Sequence, residues 1–144
     1  MAVAQPNSML GDLEYNIRQH VAAIEGTDAE VMVFPELSLT GYGMEVEAID
    51  LEDPRLSPLA DVCRSSGCVA LVGAATTDSP GQHSHISVLR IDSTGVSVVY
   101  TKMFLSGDES NRFDAGTTAE VVDCLLYTSP SPRDQRGSRM PSSA

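Results

Sequence analysis

The sequence predicts an α/β domain of the layered α+β kind, in which helices pack on a sheet. Short apolar strands alternate with two segments of helical periodicity in the first half of the chain. Two further strands then follow one another with only a tight turn between them. With 144 residues, 42% of them hydrophobic, the chain is long enough for one domain with a buried core. The predicted order of elements is βαβαβββ.

The first strand, helix and strand are predicted from the opening residues. The stretch "MAVAQ" is a short apolar strand, and "GDLEYNIRQHVAAIEG" is a helix with Asp12 as its N-cap and Gly26 as its stop. The predicted buried face of this helix consists of Leu13, Ile17, Val21 and Ile24. The next strand, "VMVF", is apolar throughout, which is typical of a strand covered on both faces.

A second helix and three strands are predicted in the remainder of the domain. The segment "DPRLSPLADVCRSSG" is a helix that ends near Gly67. Its predicted buried side consists of Leu56, Leu59, Val62 and Cys63. The strand "CVALVGAA" follows, and "HISVLRID" and "GVSVVYTK" form a pair joined by the turn sequence "DSTG". The stretch "AEVVD", residues 119–123, begins a further strand.

The net charge and the composition argue against several kinds of binding partner. The formal net charge of −11 argues against a nucleic acid or an anionic membrane as partner. No apolar run is long enough to span a bilayer and the N-terminus lacks a signal-peptide pattern, so we expect a cytoplasmic protein. We expect no cofactor and no metal, because the three cysteines are few and irregularly spaced and the "HSH" of His83 and His85 has no evident third ligand.

The composition changes at Cys124, from which the chain reads "CLLYTSPSPRDQRGSRMPSSA". One interpretation is a disordered tail rich in Ser, Pro and Arg. In addition, residues 124–134 and 138–144 can be back-translated, in one reading frame, into the constant segments of a transposon-type sequencing adapter. We therefore expect residues 124–144 to be a non-native, adapter-like tail. Three of the nine basic residues and one of the twenty acidic residues lie there, so residues 1–123 carry a net charge of −13.

Three charged residues are candidates for chemistry. Glu36 follows the strand "VMVF" after one proline, and Lys102, the one lysine of the sequence, ends the strand "GVSVVYTK". Glu109 lies in the polar loop "GDESNRFDAG". Each has an ordinary alternative, respectively a solvated strand-end acid, a lysine whose stem packs while its ammonium reaches water, and a solvated loop acid. Together, however, they place two acids and a base at strand ends and in the following loop, where α/β sheets commonly build active sites.

The motifs "FPELSLTGY" and "YTKMFL…GDESNRFDAG" resemble those of the nitrilase superfamily, the carbon–nitrogen hydrolases. The opening "VAQPNSMLGDLEYNI" is also similar to the first strand and helix of that family. The resemblance covers about residues 1–123 in the right order. It implies the N-terminal part of an α-β-β-α sandwich, in a protein that forms homodimers or larger assemblies. It also implies cleavage of non-peptide carbon–nitrogen bonds in small amides, carbamoyl compounds or nitriles through a cysteine thioester.

The resemblance also implies a role for each candidate residue. Glu36 matches the general-base glutamate, Lys102 the catalytic lysine, and Glu109 the second glutamate of the E-x-x-x-F-x-x-G pattern. A thiol becomes a good nucleophile only when a base removes its proton, which is the role expected of Glu36. We expect Glu36 to be desolvated at its apolar strand end, with the Lys102 ammonium balancing that effect. Lys102 would then stabilise the oxyanion, and Glu109 would orient Lys102 or the substrate.

Two departures from the family pattern matter. The segment that carries the nucleophilic cysteine is missing, and Cys124 lies too close to Gly116 to replace it. Phe104 stands where many members have histidine, which suggests a less polar pocket edge or a different subfamily. Our leading hypothesis is a domain truncated before its nucleophile and therefore inactive; we also expect it to be insoluble, molten or self-associated. The alternatives are a non-catalytic scaffold or binding module that never had a nucleophile, and a genuine short chain with a disordered linker.

Overall fold

A five-stranded mixed sheet organises the fold in the computed structural model, which describes residues 1–43, 45–77 and 83–118. Within these residues, two helices and two short 3-10 turns accompany the sheet. The strands are β1 (Ala2–Val3), β2 (Val31–Val33), β3 (Val69–Thr77), β4 (Ser84–Asp92) and β5 (Gly95–Thr101). The helices are α1 (Leu13–Glu25) and α2 (Ser57–Ser66), and the 3-10 turns are Pro54–Leu56 and Glu109–Asn111.

The strands lie in the sheet in the same order as in the chain. Strands β1, β2 and β3 are parallel neighbours, and β4 and β5 extend the sheet as antiparallel strands. This confirms the predicted alternation of strands and helices and the predicted hairpin between β4 and β5. The further strand predicted at residues 119–123 and the predicted tail at 124–144 lie outside the described residues.

Helix α1 begins and ends where the sequence predicted. The Asp12 carboxylate accepts a hydrogen bond from the Tyr15 backbone N–H at 2.9 Å, which satisfies one free donor of the first turn. At the other end, the Gly26 N–H donates to the Ala22 carbonyl. Three predicted core residues of α1 are buried and the fourth, Val21, is only partly buried.

Helix α2 is entered through the 3-10 turn at Pro54–Leu56 and ends at Gly67. Gly67 has a φ of 70°, a left-handed conformation that glycine adopts without the steric cost of a Cβ atom. The four residues predicted for its buried side are all buried.

The core has a main part under the helices and a smaller part near the end of β2. Residues that alternate along the strands, such as Met32, Ala70, Val72 and Leu89, pack against α1 and α2. The smaller cluster consists of Leu37, Val46, Ala75, Ile86 and Phe113. It lies beneath the loops that follow β2 and β5, and therefore supports the candidate site.

The sheet face opposite the helices is only partly covered by the described residues. Val33 pairs with Leu71 on that face, and both are half-buried, whereas Val3 beside them is 72% exposed. We had predicted from its apolar sequence that β2 is covered on both faces. Within residues 1–43, 45–77 and 83–118, that prediction is wrong for Val33.

We predict that the 144-residue chain self-associates through this face, because apolar sheet surface exposed to water favours association. The Leu71→Lys variant should shift the chain towards smaller species in size-exclusion chromatography with light scattering. The control is Val98→Lys, since Val98 pairs with Leu89 on the helix side of the sheet and is already 37% exposed. A wild-type chain that is monomeric and melts in one sharp transition would contradict the prediction.

Candidate active site

Glu36 lies in a turn that begins where β2 ends. The Phe34 N–H still donates to the Leu71 carbonyl at 2.9 Å, and the Leu39 N–H returns to the same strand at the Gly73 carbonyl, 3.0 Å away. Gly73 makes this close approach possible. A Cβ atom at position 73 would lie 2.3 Å from the Pro35 carbonyl oxygen and 2.6 Å from the Glu36 Cα. The backbone of Glu36 therefore lies directly on β3.

The turn directs the side chains of Glu36 and Leu37 to opposite sides. Leu37 has a φ of 54°, the only positive φ among the described residues other than glycine. This conformation costs on the order of 1–2 kcal/mol for a residue with a Cβ atom. The buried Leu37 side chain, 3% exposed in the smaller core cluster, offsets that cost. Burial of Leu37 leaves Glu36 on the outer side of the turn.

Lys102 directly follows β5, whereas the sequence predicted it to be the last residue of that strand. Its backbone is held on both sides. Its N–H donates to the Ile86 carbonyl at 2.8 Å, and its carbonyl accepts from the Gly116 N–H at 2.9 Å. Gly116 lies so close to β5 that a Cβ atom there would be 2.4 Å from the Thr101 carbonyl oxygen. These contacts fix the position from which the lysine side chain extends.

Glu109 begins the second 3-10 turn and is buried, with 7% of the residue exposed. The Ser106 N–H donates to Glu109 Oε2 at 2.8 Å. The Phe113 N–H donates to the Glu109 carbonyl, and Phe113 belongs to the smaller core cluster. The alternative of a solvated loop acid is therefore wrong for Glu109.

The structure brings the three candidate residues into contact. Lys102 Nζ lies 3.1 Å from Glu36 Oε1 and 2.9 Å from Glu109 Oε1. Glu36 and Lys102 are 66 residues apart in the chain. One ammonium thus joins the turn after β2 to the loop after β5.

The surroundings of Lys102, which is half-buried, and of Glu109, which is buried, favour the charged form of each. Hydrogen bonding to Glu109 is the largest effect that raises the Lys102 pKa; Glu36 adds to it, and burial opposes it. The Glu109 pKa is lowered, first by the hydrogen bond from the Ser106 N–H and then by Lys102. Lys102 and Glu109 are therefore an ionised pair at neutral pH.

Glu36 differs from the sequence prediction in its exposure. We expected a desolvated carboxylate, but the Glu36 side chain is 45% exposed, against 24% for Lys102 and 9% for Glu109. The reason is the turn, which buries Leu37 and directs Glu36 away from the core. The described part of the chain places no layer over this carboxylate.

A cavity of about 180 Å³ opens beside Glu109. Leu37 and Phe113 form apolar parts of its wall, and Tyr42, Asp108 and Glu109 contribute polar atoms. Phe104, for which the sequence suggested either a less polar pocket edge or a different subfamily, is 83% exposed and is not among the residues that line this cavity.

The described cysteines are remote from this chemistry. Cys63 and Cys68 are buried in the core under the helices, and the burial of Cys63 was predicted from its place on α2. Burial raises the pKa of Cys63 to about 12 and also raises that of Cys68, so neither is a thiolate at neutral pH. Cys124 lies outside the described residues.

The sequence also predicts that the chain has no metal site and no membrane-spanning segment. His83 pairs with the Asp114 carboxylate at 2.8 Å, and no group of three or more metal-binding side chains occurs in the part of the chain that the structure describes. Within the same residues, no helix has both the length and the hydropathy needed to cross a membrane.

Sequence reasoning missed a set of buried polar residues beneath the Glu36 turn. Asn16 and His20 on α1 are both 0% exposed, and Ser38 in the turn is 4% exposed. The available signal was their spacing, since Asn16 and His20 are four residues apart and so lie on one side of the helix.

We predict that Glu109 supports the charge of Lys102 more strongly than Glu36 does. Because Lys102 is the one lysine in the sequence, lysine labelled with ¹³C and ¹⁵N gives a single side-chain signal whose titration reports its pKa. Glu109→Gln should lower that pKa more than Glu36→Gln, since Glu109 is the more buried partner. Glu30→Gln, an exposed acid before the other end of β2, is the control and should have no effect. An equal or larger effect of Glu36→Gln would refute the ranking.

Comparison with known proteins supplies the context for this geometry. The sequence profile of the carbon–nitrogen hydrolase family matches residues 1–126. A Pseudomonas protegens protein described as "Hydrolase in pqqF 5'region" is 31% identical over 119 residues, which are 78% of this chain and 40% of that protein. The chain therefore spans less than half the length of this curated relative.

Solved structures share the fold at low sequence identity. A Saccharomyces cerevisiae member of branch 10 of the nitrilase superfamily, Nit3, has a TM-score of 0.70 at 14% identity, covering 84% of this chain and 49% of its own. A superfamily protein from Xanthomonas campestris, with an arsenic adduct in its active site, has a TM-score of 0.70 at 17% identity, covering 84% and 48%. The NitN amidase from Neterenkonia sp. AN1 has a TM-score of 0.66 at 21% identity, covering 81% and 49%.

The profile match spans most of the chain, and the five-stranded sheet with its helices is the fold of these nitrilase-superfamily structures. The chain belongs to the carbon–nitrogen hydrolase family.

Proposed function

We propose that residues 1–123 are part of an enzyme that hydrolyses non-peptide carbon–nitrogen bonds in small amides, carbamoyl compounds or nitriles. The observation that carries this proposal is the Lys102 ammonium, which contacts Glu36 and Glu109 at once. An exposed carboxylate can accept the proton of a thiol, and a fixed cation beside it can stabilise the negative oxygen of an acyl-transfer intermediate. The names of relatives such as the NitN amidase support amide substrates.

In the proposed mechanism, Glu36 and Lys102 have different tasks. Glu36 accepts the proton of a cysteine thiol as its sulfur attacks the substrate carbon, and later returns that proton to the leaving ammonia or amine. Lys102 stabilises the negative oxygen of the tetrahedral intermediate, an effect of about 3 kcal/mol per donor in acyl-transfer sites. Water then attacks the thioester carbon, Glu36 accepts a proton from that water, and the proton passes to the cysteine sulfur as the carbon–sulfur bond breaks.

Glu109 positions Lys102 in this proposal. It is buried, its Oε2 accepts a backbone N–H, and its Oε1 accepts from the lysine. Because these bonds fix the carboxylate, Lys102 keeps its charge and its place while Glu36 gains and loses a proton. The contact between Glu36 and Lys102 is longer and more exposed, which suits a group whose charge changes during the reaction.

The nucleophilic cysteine is proposed to come from a segment outside the described residues, in a longer protein. Support comes from the buried, high-pKa environment of Cys63 and Cys68 and from the partial coverage of the relatives. We further propose that the protein is a cytoplasmic homo-oligomer with small-molecule substrates. We also propose that it has no nucleic-acid or membrane partner, since its net charge is −11.

We predict that the 144-residue chain does not turn over a panel of small amides and nitriles, because Glu36 and Lys102 cannot form a thioester without a thiol beside them. The measurement is ammonia release with purified protein at neutral pH, with Glu36→Gln as the control for contaminating activity. Turnover that Glu36→Gln abolishes would show that the chain already contains its nucleophile.

In the complete enzyme, joined to the cysteine-bearing segment in the source DNA, Glu36→Gln should lower kcat by ~10²–10⁴-fold, the usual range for a general base. The amide keeps the shape of the side chain, so the melting temperature should change little. Lys102→Met keeps most of the stem and removes the charge, and should lower kcat by ~10²–10³-fold. Glu30→Gln is the matched control and should retain wild-type activity.

The same experiment separates the enzyme from the alternative of a non-catalytic scaffold. Near-full activity of Glu36→Gln at neutral pH would make this glutamate a structural residue. A complete protein without a cysteine near Glu36, or without turnover on any amide or nitrile, would favour the scaffold.

A further inference from the structure

A buried polar cluster joins helix α1 to the turn that carries Glu36. We define it as Asn16, His20 and Ser38, of which Asn16 and His20 are completely inaccessible to solvent. Burying polar groups is unfavourable unless each finds a hydrogen-bond partner, and all of these do. The proposed reaction does not use these residues, so their burial calls for another explanation.

Asn16 ties the helix to two loop segments. Its amide Nδ2 donates to the Met9 carbonyl at 2.8 Å and to the Leu39 carbonyl at 2.9 Å. Its Oδ1 accepts from the Met9 N–H at 2.7 Å. Leu39 lies three residues after Glu36, so the helix holds the far side of the turn.

His20 holds the middle of the same turn, in a defined tautomer. Its Nδ1 lies 2.7 Å from the Asn16 backbone carbonyl, which can only accept, so Nδ1 carries the hydrogen. In the neutral ring, Nε2 is then an acceptor and receives the hydroxyl proton of Ser38 at 2.9 Å. The Phe34 ring, with its centroid 4.4 Å from that of His20, packs against the imidazole.

The hydrogen bond from Ser38 to His20 requires a neutral imidazole. A protonated ring would donate from Nε2 to the Ser38 oxygen, and the Ser38 hydroxyl hydrogen would have to turn towards another acceptor. Burial lowers the pKa of His20, which keeps the ring neutral at pH 7.

We infer that His20 is a positioning residue for Glu36. Its Nε2 accepts the Ser38 hydroxyl and thereby holds the turn in the conformation that places the Glu36 carboxylate against Lys102. The catalytic meaning of this role rests on the proposed function, whereas the placement of Glu36 does not.

The turn needs such support because its own conformation is unfavourable. Leu37 has a positive φ, and Glu36 is largely exposed and held at its carboxylate by Lys102. On the sheet side, Leu39 N–H and Thr40 Oγ1 bond to β3. The Ser38 hydroxyl provides the attachment to the helix that lies nearest to Glu36, in addition to the bonds from Asn16 to the Leu39 carbonyl and from the Ser8 hydroxyl to the Ser38 carbonyl. We expect its loss to allow rotation at Leu37 that carries Glu36 Oε1 away from Lys102.

The test measures the Glu36–Lys102 contact directly in the 144-residue chain. Lys102 and the N-terminus carry the only amines of the sequence, so the rate of Lys102 acetylation relative to the N-terminus can be measured by mass spectrometry. Loss of the Glu36 partner should raise this ratio, since the hydrogen bond to Glu36 helps to raise the Lys102 pKa and its removal increases the fraction of free amine. Glu36→Gln gives the full size of the effect.

His20→Leu should raise the ratio by at least half the effect of Glu36→Gln. His20→Gln should stay near wild type, because the Gln side-chain oxygen can accept from Ser38 in place of Nε2. The control for simple loss of helix packing is Ile24→Ala, which opens the core one turn further along α1. Equal ratios for His20→Leu and wild type, or an increase in Ile24→Ala as large as in His20→Leu, would overturn the proposal.

In the complete enzyme, His20→Leu should lower kcat while His20→Gln restores it. Inactivity of the wild-type enzyme would refute the proposed function, but acetylation of Lys102 would still decide whether His20 positions Glu36.

Discussion

The site depends on the close approach of one turn to the sheet at Gly73. Because a Cβ atom would overlap the Pro35 carbonyl and the Glu36 backbone, only glycine lets the turn lie on β3. The turn then bonds to β3 through Leu39, buries Leu37 and leaves Glu36 outside. The carboxylate therefore takes its position from backbone packing.

The charge distribution follows from that placement. Lys102 provides a single positive charge against two carboxylates, and residues 1–123 together carry a net charge of −13. Glu109 is buried and its carboxylate accepts hydrogen bonds from both the Lys102 ammonium and the Ser106 N–H, so its negative charge is well compensated. Glu36 contacts the same Lys102 ammonium at a longer distance, and its side chain is more exposed to water. The two acids are therefore not equivalent, although both contact one ammonium.

The periodic elements were predictable because their burial leaves a direct trace in the sequence. The apolar spacing of α1 and α2, the cap at Asp12, the left-handed Gly67 and the turn between β4 and β5 all follow local rules. The exposure of Glu36 was not predictable, because it results from a positive φ at Leu37, which lacks the usual glycine signal. The burial of Asn16 and His20 was missed because their spacing shows only that they share one side of the helix. The sequence around a polar residue does not show which distant group will be its hydrogen-bond partner.

The arrangement of parallel and antiparallel strands has a consequence for the order of folding. Strands β3, β4 and β5 pair through neighbouring segments, with 8 pairs between β3 and β4 and a two-residue link before β5. Strands β1 and β2 join the sheet only through helical crossovers, which close long loops at a larger entropic cost. The Glu36–Lys102 contact spans 66 residues and unites these two parts. Because closing long loops is entropically costly, we expect sequence-local pairing to precede non-local pairing in this topology and the ion pair at the site to form among the last native contacts.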